Sequence, residues 1–518
     1  SPAEVTPCRP PNPTGEMKTA TLKLDTDFHV GDIDPRLFSG FLEHLGRAVY
    51  EGAYDPGNPL SDENGFRRDV LDALKPLKMP LMRYPGGNFV SAYDWTDGIG
   101  PRESRPVRPD FAWKSIETNQ FGTDEFMQWC GALGTAPMMA VNLGTKGATE
   151  AAALVEYCNL PAGTYWADKR VANGHKDPYG VKVWCLGNEM DGPWQAGQVP
   201  AEEYARRADQ AGKIMRGLDP SIELVACGSS GRFMDTYLEY DRTVLEYCWN
   251  HISYISAHRY SLNHRDDTDW FLAEGVEIER ILDDYAGLLD YVRGRKRSDK
   301  RVYISFDEWN VWYRARGEDG GWKQAPHLLE EVYNLEDALV CAQYLTAFLR
   351  RADVVKIACI AQVVNVIAPI LTRKDGLLFQ SIYYPFVETV QRARGRSLRP
   401  VLLDAPTYAA GERGEVPVLD AAASYDETDG ALSLFLVNRG RADAVTLTVR
   451  LGNVAAEAVE SVSVLSGDDP KAANSWENPD LLKSRPGEAS VSAETGDLTV
   501  TVPALGFVAL TARTRPRG

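Results

Sequence analysis

Two glutamates, Glu189 and Glu308, each follow an apolar, strand-like run and lie among tryptophans. The first ends the run in WCLGNEMDGPWQ (184–195), and the second ends the run in ISFDEWNVWY (304–313). Burying a carboxylate is costly unless it has a partner. Two such groups that face each other can supply the acid and the nucleophile or base that hydrolyse a glycosidic bond. The pattern therefore predicts an active site built on paired carboxylates.

This chemistry requires the two groups to hold different protonation states. One carboxylic acid protonates the leaving oxygen, while the other carboxylate attacks the anomeric carbon or activates water. Burial and mutual repulsion would raise the pKa of one glutamate and leave the other ionised. The alternative interpretation is structural, because either glutamate could form an ion pair with Arg83 or another cation.

Eight apolar runs separated by helical patterns or long loops would have to position these residues. The runs are continuous rather than alternating, as expected for strands that are buried on both faces. Eight β/α units predict an α/β fold, a (β/α)8 TIM barrel. A doubly wound open sheet is the alternative, but no GxGxxG follows any run. Helices are predicted at 202–221 and 335–352, and strands at 38–44, 80–87, 136–144, 181–189, 222–230, 254–261, 301–310 and 354–363.

In such a barrel, side chains at the carboxyl ends of the strands converge on one mouth. Every predicted strand ends in a hydrogen-bonding group, and tryptophans follow several of them. Ring faces beside amides and carboxylates suit a sugar, which has C–H faces and hydroxyl groups; for any single tryptophan, packing is the alternative. The strand-end candidates are Glu43, His44, Arg83, Asn88, Asn142, Asn188, Glu189, Ser229, Ser230, His258, Arg259, Tyr260, Asp307, Glu308, Gln362 and Asn365, with Trp95, Trp113, Trp194, Trp309, Trp312 and Tyr313 as the aromatic ones.

The residues alone leave two of these roles open. Glu43 could bind hydroxyl groups or pair with Arg83, and His258 could be a metal ligand, a proton shuttle or a core histidine. No HExxH motif or close His/Asp cluster points to a metal, so neither a metal nor a cofactor is expected. The sequence also lacks the P-loop spacing and the GxSxG motif of serine hydrolases.

The chain of 518 residues is too long for one core and predicts two domains. We expect residues 17–32 to add strands to a distant sandwich, 33–396 to form the catalytic barrel, and 397–518 to form an antiparallel β-sandwich. Within the last range, 397–417 reads as a linker, and alternating runs follow it. Residues 1–16 are proline-rich and expected to be disordered or not native.

Charge and cysteine content narrow the partners and the compartment. The net charge of −17 argues against nucleic acid or an anionic membrane surface as the partner. No apolar run approaches the length of a membrane span, and no signal peptide is visible in the sequence. A signal peptide cleaved before Ser1 is an alternative that the sequence leaves open. The eight cysteines form no CxxC pair and are expected to be buried and reduced. A cytoplasmic location is therefore expected.

Longer motifs resemble the α-L-arabinofuranosidases of glycoside hydrolase family 51. They are RYPGGNF (83–89), AWKSIETN (112–119), AVNLGT (140–145), WCLGNEMDGPWQ, FDEWNVWY (306–313) and AQVVNVIAPI (361–370). The resemblance runs from about residue 20 to the C-terminus and is strongest in the barrel. It implies a TIM barrel with a C-terminal jelly-roll sandwich that the N-terminal strand completes, no cofactor, and often a homohexamer.

The resemblance also implies a role for each candidate. Glu189 would be the general acid/base and Glu308 the nucleophile, with retention of configuration. Asn188 would bind the 2-hydroxyl group, and Tyr260 would orient the nucleophile. The other implied roles are furanose binding by Glu43, Asn88 and Gln362, walls of the pocket and of the leaving-group side at Trp113 and Trp312, and support from Arg83 and His258.

Together these features predict an exo-acting, retaining α-L-arabinofuranosidase. Its substrates would be terminal arabinofuranosyl groups of oligosaccharides derived from arabinan or arabinoxylan. A β-xylosidase or an endo-glucanase on the same scaffold is the nearest alternative. A sugar-binding protein without catalysis is a further alternative, but binding alone does not require two facing acids.

Overall fold

The computed structural model describes residues 17–518, so the expectation for residues 1–16 lies outside the described residues. Along this part of the chain we number the strands β1–β26 and the helices α1–α10. One hydrophobic core fills the barrel and the space beneath its helices, and a second lies between two sheets of a C-terminal sandwich.

Eight parallel strands close into a barrel, which confirms the predicted TIM barrel. Each predicted run contributes one strand. Segments such as VWCL (183–186) are buried at every position, as expected for a strand covered by side chains of the barrel interior on one face and by helices on the other. The barrel strands are β3 (Ser39–Phe41), β4 (Leu81–Tyr84), β7 (Ala136–Val141), β8 (Val183–Leu186), β9 (Glu223–Ala226), β10 (Tyr254–Ser261), β11 (Tyr303–Val311) and β12 (Val355–Ala361).

Helices pack around this barrel. Helix α5 buries Tyr204, Ala208, Ala211 and Met215, whose spacing gives it one apolar face, and it ends just before Asp219-Pro220. The helices are α1 (Arg68–Leu74), α2 (Thr123–Leu133), α3 (Ala148–Asn159), α4 (Tyr165–Ala172), α5 (Ala201–Leu218), α6 (Glu239–Cys248), α7 (Thr268–Phe271), α8 (Gly275–Lys296), α9 (Leu335–Arg350) and α10 (Tyr383–Val390). None of the helices between residues 17 and 518 is long and apolar enough to cross a membrane.

The sandwich consists of two sheets. Strand β1 pairs in parallel with β21 and antiparallel with β16, and β2 pairs with β15 in the other sheet. One sheet has the order β16-β1-β21-β25-β24 and the other β2-β15-β19-β20-β26-β22-β23. Their bounds are β1 (Lys18–Leu24), β2 (His29–Asp32), β15 (Arg396–Leu398), β16 (Val401–Leu403), β19 (Leu419–Asp426), β20 (Ala431–Asn438), β21 (Val445–Leu451), β22 (Val454–Ser466), β23 (Arg485–Pro486), β24 (Ala489–Val491), β25 (Leu498–Val502) and β26 (Gly506–Pro516).

The segment 397–417, which the sequence predicts as a linker, contains short strands instead. Strand β15 belongs to one sheet of the sandwich and β16 to the other, and β17 and β18 form a hairpin. Runs of three residues are too short to show an alternating pattern, which is why composition suggested a linker. The remaining hairpins are formed by β5 (Arg108–Asp110) with β6 (Ser115–Glu117), β13 (Ile370–Arg373) with β14 (Gly376–Phe379), and β17 (Thr407–Ala409) with β18 (Glu415–Pro417).

Helix α9 joins the barrel to the sandwich. Every residue from Leu335 to Leu349 is buried, because the helix contacts β11 of the barrel and β19, β20 and β26 of the sandwich. Its Thr346 hydroxyl contacts Asp420 at 2.5 Å, and Arg350 pairs with the same carboxylate at 2.9 Å. A helix that is buried on all sides, with its polar side chains paired to neighbouring segments, fits a buried connection.

The seven cysteines of the described residues are all buried and unbridged: Cys130, Cys158, Cys185, Cys227, Cys248, Cys341 and Cys359. Burial raises the pKa of the Cys130 thiol well above its ordinary value. These thiols therefore act as small apolar side chains, as the sequence predicts.

Candidate active site

A tight turn after β8 presents the first glutamate at the barrel mouth. Gly187 has φ +86° and Glu189 has φ +42°, a conformation that costs energy for a residue with a side chain. This turn separates two neighbouring side chains. Asn188 is buried and accepts a hydrogen bond of 2.6 Å from Arg83, whereas Glu189 contacts His258 and Trp194.

His258, on β10, lies between the two glutamates. Its Nδ1 atom is 2.9 Å from Oε2 of Glu189 and 3.0 Å from Oε2 of Glu308. Its Nε2 atom is 2.6 Å from Oδ1 of Asp307, on β11. Contact with three carboxylates raises the pKa of His258 well above its ordinary value, even though burial opposes the charge. The imidazole is therefore a cation at neutral pH.

Glu308 is held by three groups from two strands, His258 and Tyr260 on β10 and Arg83 on β4. The Tyr260 hydroxyl donates to its Oε1 at 2.8 Å, and Arg83 Nη1 lies 3.4 Å from its Oε2. Burial favours the neutral acid, but His258, Arg83 and Tyr260 outweigh it and lower the pKa of Glu308 to about 2. Oε2 lies 3.0 Å from His258 Nδ1 and 3.4 Å from Arg83 Nη1 but makes no well-aligned hydrogen bond to the described residues. Glu308 is thus an ionised carboxylate whose charge is stabilised by two cations.

Glu189 has the opposite electrostatic environment. Burial, followed by repulsion from Glu308, raises its pKa, and the contacts with His258 and Trp194 only partly oppose the shift. Oxygen atoms of the two glutamates lie within 4.8 Å of each other. The site therefore places a carboxyl group with a raised pKa close to one with a lowered pKa.

Glu43 forms a second acidic position at the mouth. Its carboxylate accepts hydrogen bonds from the Phe89 amide at 3.1 Å, from Trp113 Nε1 at 3.3 Å and from Gln362 Nε2 at 3.2 Å. Burial and repulsion from Glu308 raise its pKa to about 8. The ion pair with Arg83 that the sequence left open is not among its contacts in the described residues.

Amides and aromatic rings complete the site. Asn188 Nδ2 lies 3.4 Å from Asn88 Oδ1, and the Trp312 ring packs edge-on against Tyr260 with centroids 5.2 Å apart. Each candidate to which the resemblance gives a role therefore contacts another candidate, in two groups: Glu43 with Trp113 and Gln362, and a second group of Arg83, Asn88, Asn188, Glu189, His258, Tyr260, Glu308 and Trp312.

Other strand-end candidates support loops instead. Asn142 accepts hydrogen bonds from the amides of Gly144 at 2.9 Å and Thr145 at 3.0 Å. Asn365 donates to Thr372 and to a backbone carbonyl. Ser229 and Ser230 bind aspartates of neighbouring segments, at Asp241 and Asp191. A polar residue after a barrel strand is as useful for ordering the loop as for binding a ligand, so position alone predicts too many site residues.

Glu189, His258 and Glu308 could also be considered as cation ligands. One atom from each lies within 4.8 Å of the others. However, His258 Nδ1 lies 2.9 and 3.0 Å from the two carboxylate oxygens, which is within the range of N–H···O hydrogen bonds. A cation would have to replace the proton that Nδ1 carries in this arrangement.

Comparison with known proteins identifies the family. The model of the α-L-arabinofuranosidase 1 domain matches residues 73–274, and that of the α-L-arabinofuranosidase C-terminal domain matches residues 307–505. The intracellular exo-α-(1→5)-L-arabinofuranosidase of Halalkalibacterium halodurans is 46% identical, over 88% of this chain and 92% of that protein. The structure of a family 51 α-L-arabinofuranosidase from Bifidobacterium longum has 40% identity and a TM-score of 0.91, covering 96% of this chain and 100% of that one. The chain belongs to the family 51 α-L-arabinofuranosidases.

A second relative agrees with this assignment. The intracellular exo-α-(1→5)-L-arabinofuranosidase 1 of Bacillus subtilis is 45% identical, over 92% of this chain and 96% of that protein. Membership makes the chain a glycoside hydrolase with an exo-acting arabinofuranosidase activity, which confirms the resemblance read from the sequence motifs.

This arabinofuranosidase has site contacts that sequence reasoning missed. Gln195 accepts a hydrogen bond from Asn188 at 3.2 Å, and Trp194 Nε1 donates to Glu189 Oε1 at 2.9 Å. Both follow β8 in an irregular loop, where no periodicity indicates which way a side chain points. The adjacent sequence Trp194-Gln195 is a polar and aromatic signal, but only the loop geometry shows what it contacts.

Proposed function

We propose that Glu308 is the nucleophile and Glu189 the general acid/base of a retaining α-L-arabinofuranosidase. The observation that carries this proposal is the pair of opposite pKa shifts on two carboxyl groups whose oxygens lie within 4.8 Å. Carboxyl groups about 5–5.5 Å apart are typical of retaining glycosidases, whereas inverting enzymes leave about 6.5–9.5 Å for a water molecule. The spacing here favours direct attack on the sugar.

In the first step, Oε2 of Glu308 attacks the anomeric carbon of a terminal arabinofuranosyl group. The bond to the leaving oxygen breaks, and Glu189 gives that oxygen its proton. The products are an arabinosyl ester of Glu308 and the shortened oligosaccharide. The Tyr260 hydroxyl holds Oε1 of Glu308, which keeps Oε2 pointed at the reacting carbon.

In the second step, Glu189 accepts a proton from water, and the water oxygen attacks the anomeric carbon. The ester bond breaks, so Glu308 is again a carboxylate and arabinose leaves with its original configuration. Negative charge thus moves from Glu308 to Glu189 and back during one turnover. His258 lies about equally far from both, at 3.0 and 2.9 Å, and stabilises the charge at either place.

The remaining candidates would bind the sugar and shape the pocket. Asn188, fixed by Arg83 at 2.6 Å, would bind the 2-hydroxyl group, where its hydrogen bond strengthens in the transition state. Glu43, Asn88 and Gln362 would hold the other furanose hydroxyl groups. Trp113 would border the pocket next to Glu43, and Trp312 would border it next to Tyr260.

The relatives suggest the biological substrate and setting. Two of them are named for the α-(1→5) linkage and as intracellular enzymes. We accordingly propose terminal α-1,5-linked arabinofuranosyl groups of arabinan-derived oligosaccharides as substrates, acted on inside the cell. The homohexamer implied by the resemblance stays a prediction, which light scattering of the purified protein would check.

The roles of the two glutamates can be separated by leaving-group chemistry. Glu308→Ala should abolish turnover of every substrate. Glu189→Ala should spare an aryl arabinofuranoside whose leaving group needs no proton, but should lose turnover of arabinotriose. Exogenous azide should then rescue Glu189→Ala and yield arabinosyl azide with retained configuration, detected by NMR.

Matched controls keep the result specific. Asp209→Asn changes a carboxylate that pairs with His251 at 2.8 Å outside the barrel mouth, and it should keep both activities. If both glutamate variants hydrolyse the aryl substrate at the wild-type rate, the assignment is wrong. Parallel assays of aryl xylosides and of a linear glucan would reveal the alternative substrates.

A further inference from the structure

Two aromatic rings are exposed beside the proposed acid. Phe233 lies in the loop after β9 with 73% of its surface exposed, and Trp194 lies in the loop after β8 with 39% exposed. Their ring centroids are 6.2 Å apart and the planes are tilted by 36°, so the two rings form one shallow apolar trough. Exposing a large aromatic side chain is unfavourable unless something covers it.

The trough is fixed in place by its own loops. Each ring packs closely against a glycine, Trp194 against Gly192 and Phe233 against Gly231, where a Cβ atom would overlap the ring. The two loops are also tied to each other, because the Ser230 amide donates to Asp191 at 2.8 Å. The relative position of the rings is therefore set before any ligand arrives.

The loop that carries Phe233 is anchored on its outer side as well. Arg232 pairs with Glu277 at 3.0 Å and lies 3.8 Å from Asp284, both on α8. Because the charged side chain of Arg232 is directed to α8, the exposed face of the trough consists of the two aromatic rings. Such a face suits the C–H face of a sugar ring better than a charged ligand.

The trough is on the side of the site where the leaving group must be. Trp194 Nε1 donates to Glu189 Oε1 at 2.9 Å, so the ring touches the residue that would protonate the leaving oxygen. Trp113 contacts Glu43, and Trp312 packs on Tyr260 next to Glu308. A sugar joined to the leaving oxygen has to pass along the acid, and the trough is the apolar surface beside it.

We propose that Phe233, together with Trp194, binds the sugar ring directly behind the scissile bond and so sets the preference for oligosaccharide over small leaving groups. The occupant is the first sugar of the departing saccharide. This inference rests on the proposed function, because it needs Glu189 to be the acid. Phe233 is a specificity-determining residue here and takes no part in bond breaking.

The test compares two substrates that share the arabinofuranosyl group. Arabinotriose has a sugar ring as leaving group, and methyl α-L-arabinofuranoside has only a methyl group. Phe233→Ala should lower the ratio of their kcat/KM values, triose over methyl glycoside, by about tenfold, as expected for losing one aromatic stacking contact. The loss should lie mainly in KM for the triose. Phe233→Tyr keeps a ring and should keep the ratio.

Phe28→Ala is the matched control. Phe28 is 66% exposed and lies between β1 and β2 of the sandwich, away from the barrel mouth. It should leave both kcat/KM values unchanged. An unchanged ratio in Phe233→Ala, or an equal drop on both substrates, would overturn the inference. If wild-type protein releases arabinose from neither substrate, the proposed function fails instead.

Discussion

Replacing His258 with asparagine would remove a positive charge that touches both proposed catalytic groups. Asparagine keeps an N–H close to the position of Nδ1, so a neutral hydrogen bond to a glutamate can remain. It loses the charge and the 2.6 Å contact with Asp307. The variant therefore isolates the electrostatic part of what His258 does.

The size of the effect follows from the contacts. A hydrogen bond to a charged group contributes about 1.5–3 kcal/mol, and one pKa unit corresponds to about 1.4 kcal/mol. Losing the 3.0 Å contact should raise the pKa of Glu308 from about 2 to roughly 3–4. Glu189 loses a contact of 2.9 Å and its pKa, already raised by burial, should rise further.

Both limbs of the kcat/KM profile should then move to higher pH. The acid limb reports ionisation of the proposed nucleophile, Glu308, and the alkaline limb reports loss of the proton from the proposed acid, Glu189. Because the two groups interact, the two apparent pKa values belong to the pair. In the wild type, ionisation of Glu308 should sustain activity at the acid end until the pH falls towards about 2. The variant should lose it about 1–2 pH units higher, with a lower rate at its optimum.

The assay is the hydrolysis of an aryl arabinofuranoside at low substrate concentration, with circular dichroism confirming the fold at each pH. His251→Asn is the control, because His251 forms a similar pair with Asp209 at 2.8 Å outside the barrel mouth. It should leave the profile in place. An acid limb that stays at the wild-type pH in His258→Asn would refute the reasoning, since His258 would then not set the charge of Glu308.

Two further substitutions test other contacts. Tyr260→Phe removes the 2.8 Å hydrogen bond to Glu308 and should lower kcat by about 10–100-fold without changing the unfolding midpoint; a wild-type kcat would contradict an orienting role. Arg413→Met leaves the fully buried Glu274 without one of its cationic partners and should destabilise the protein by about 3–5 kcal/mol in denaturant unfolding. Arg513→Met breaks only exposed pairs, so its cost should stay below about 1 kcal/mol; equal costs would contradict the argument.

The sequence predicts the barrel and the catalytic pair for the same physical reason. Strands buried on both faces must be apolar throughout, so a carboxylate such as Glu308 at the end of one stands out. The partners of these groups are harder to predict. The sequence leaves three roles open for His258, and only the register of β10 against β11 places its ring between the glutamates. Gln195 and Phe233 lie in loops whose path depends on glycine turns, and no periodic pattern reveals such contacts.

The electrostatics of burial also explain why this mouth contains an acid at neutral pH. Four carboxyl groups lie close to two buried cations; the carboxyl groups are those of Glu43, Glu189, Asp307 and Glu308, and the cations are Arg83 and His258. Two negative charges can be paired, as in Asp307 with His258 and Glu308 with Arg83.

Of the two remaining carboxyl groups, Glu43 forms no ion pair within the described residues, and Glu189 shares His258 with Asp307 and Glu308, so burial and repulsion raise the pKa of both. The pKa of Glu43 is raised to about 8, and that of Glu189 is raised as well. Neutralising an unpaired buried acid by protonation costs less than burying its charge. The fold therefore stabilises the proton that the first chemical step uses. When Glu308 becomes an ester, it no longer carries a charge that shares His258, so the imidazolium 2.9 Å from Glu189 then favours the ionised form of Glu189, which acts as a base.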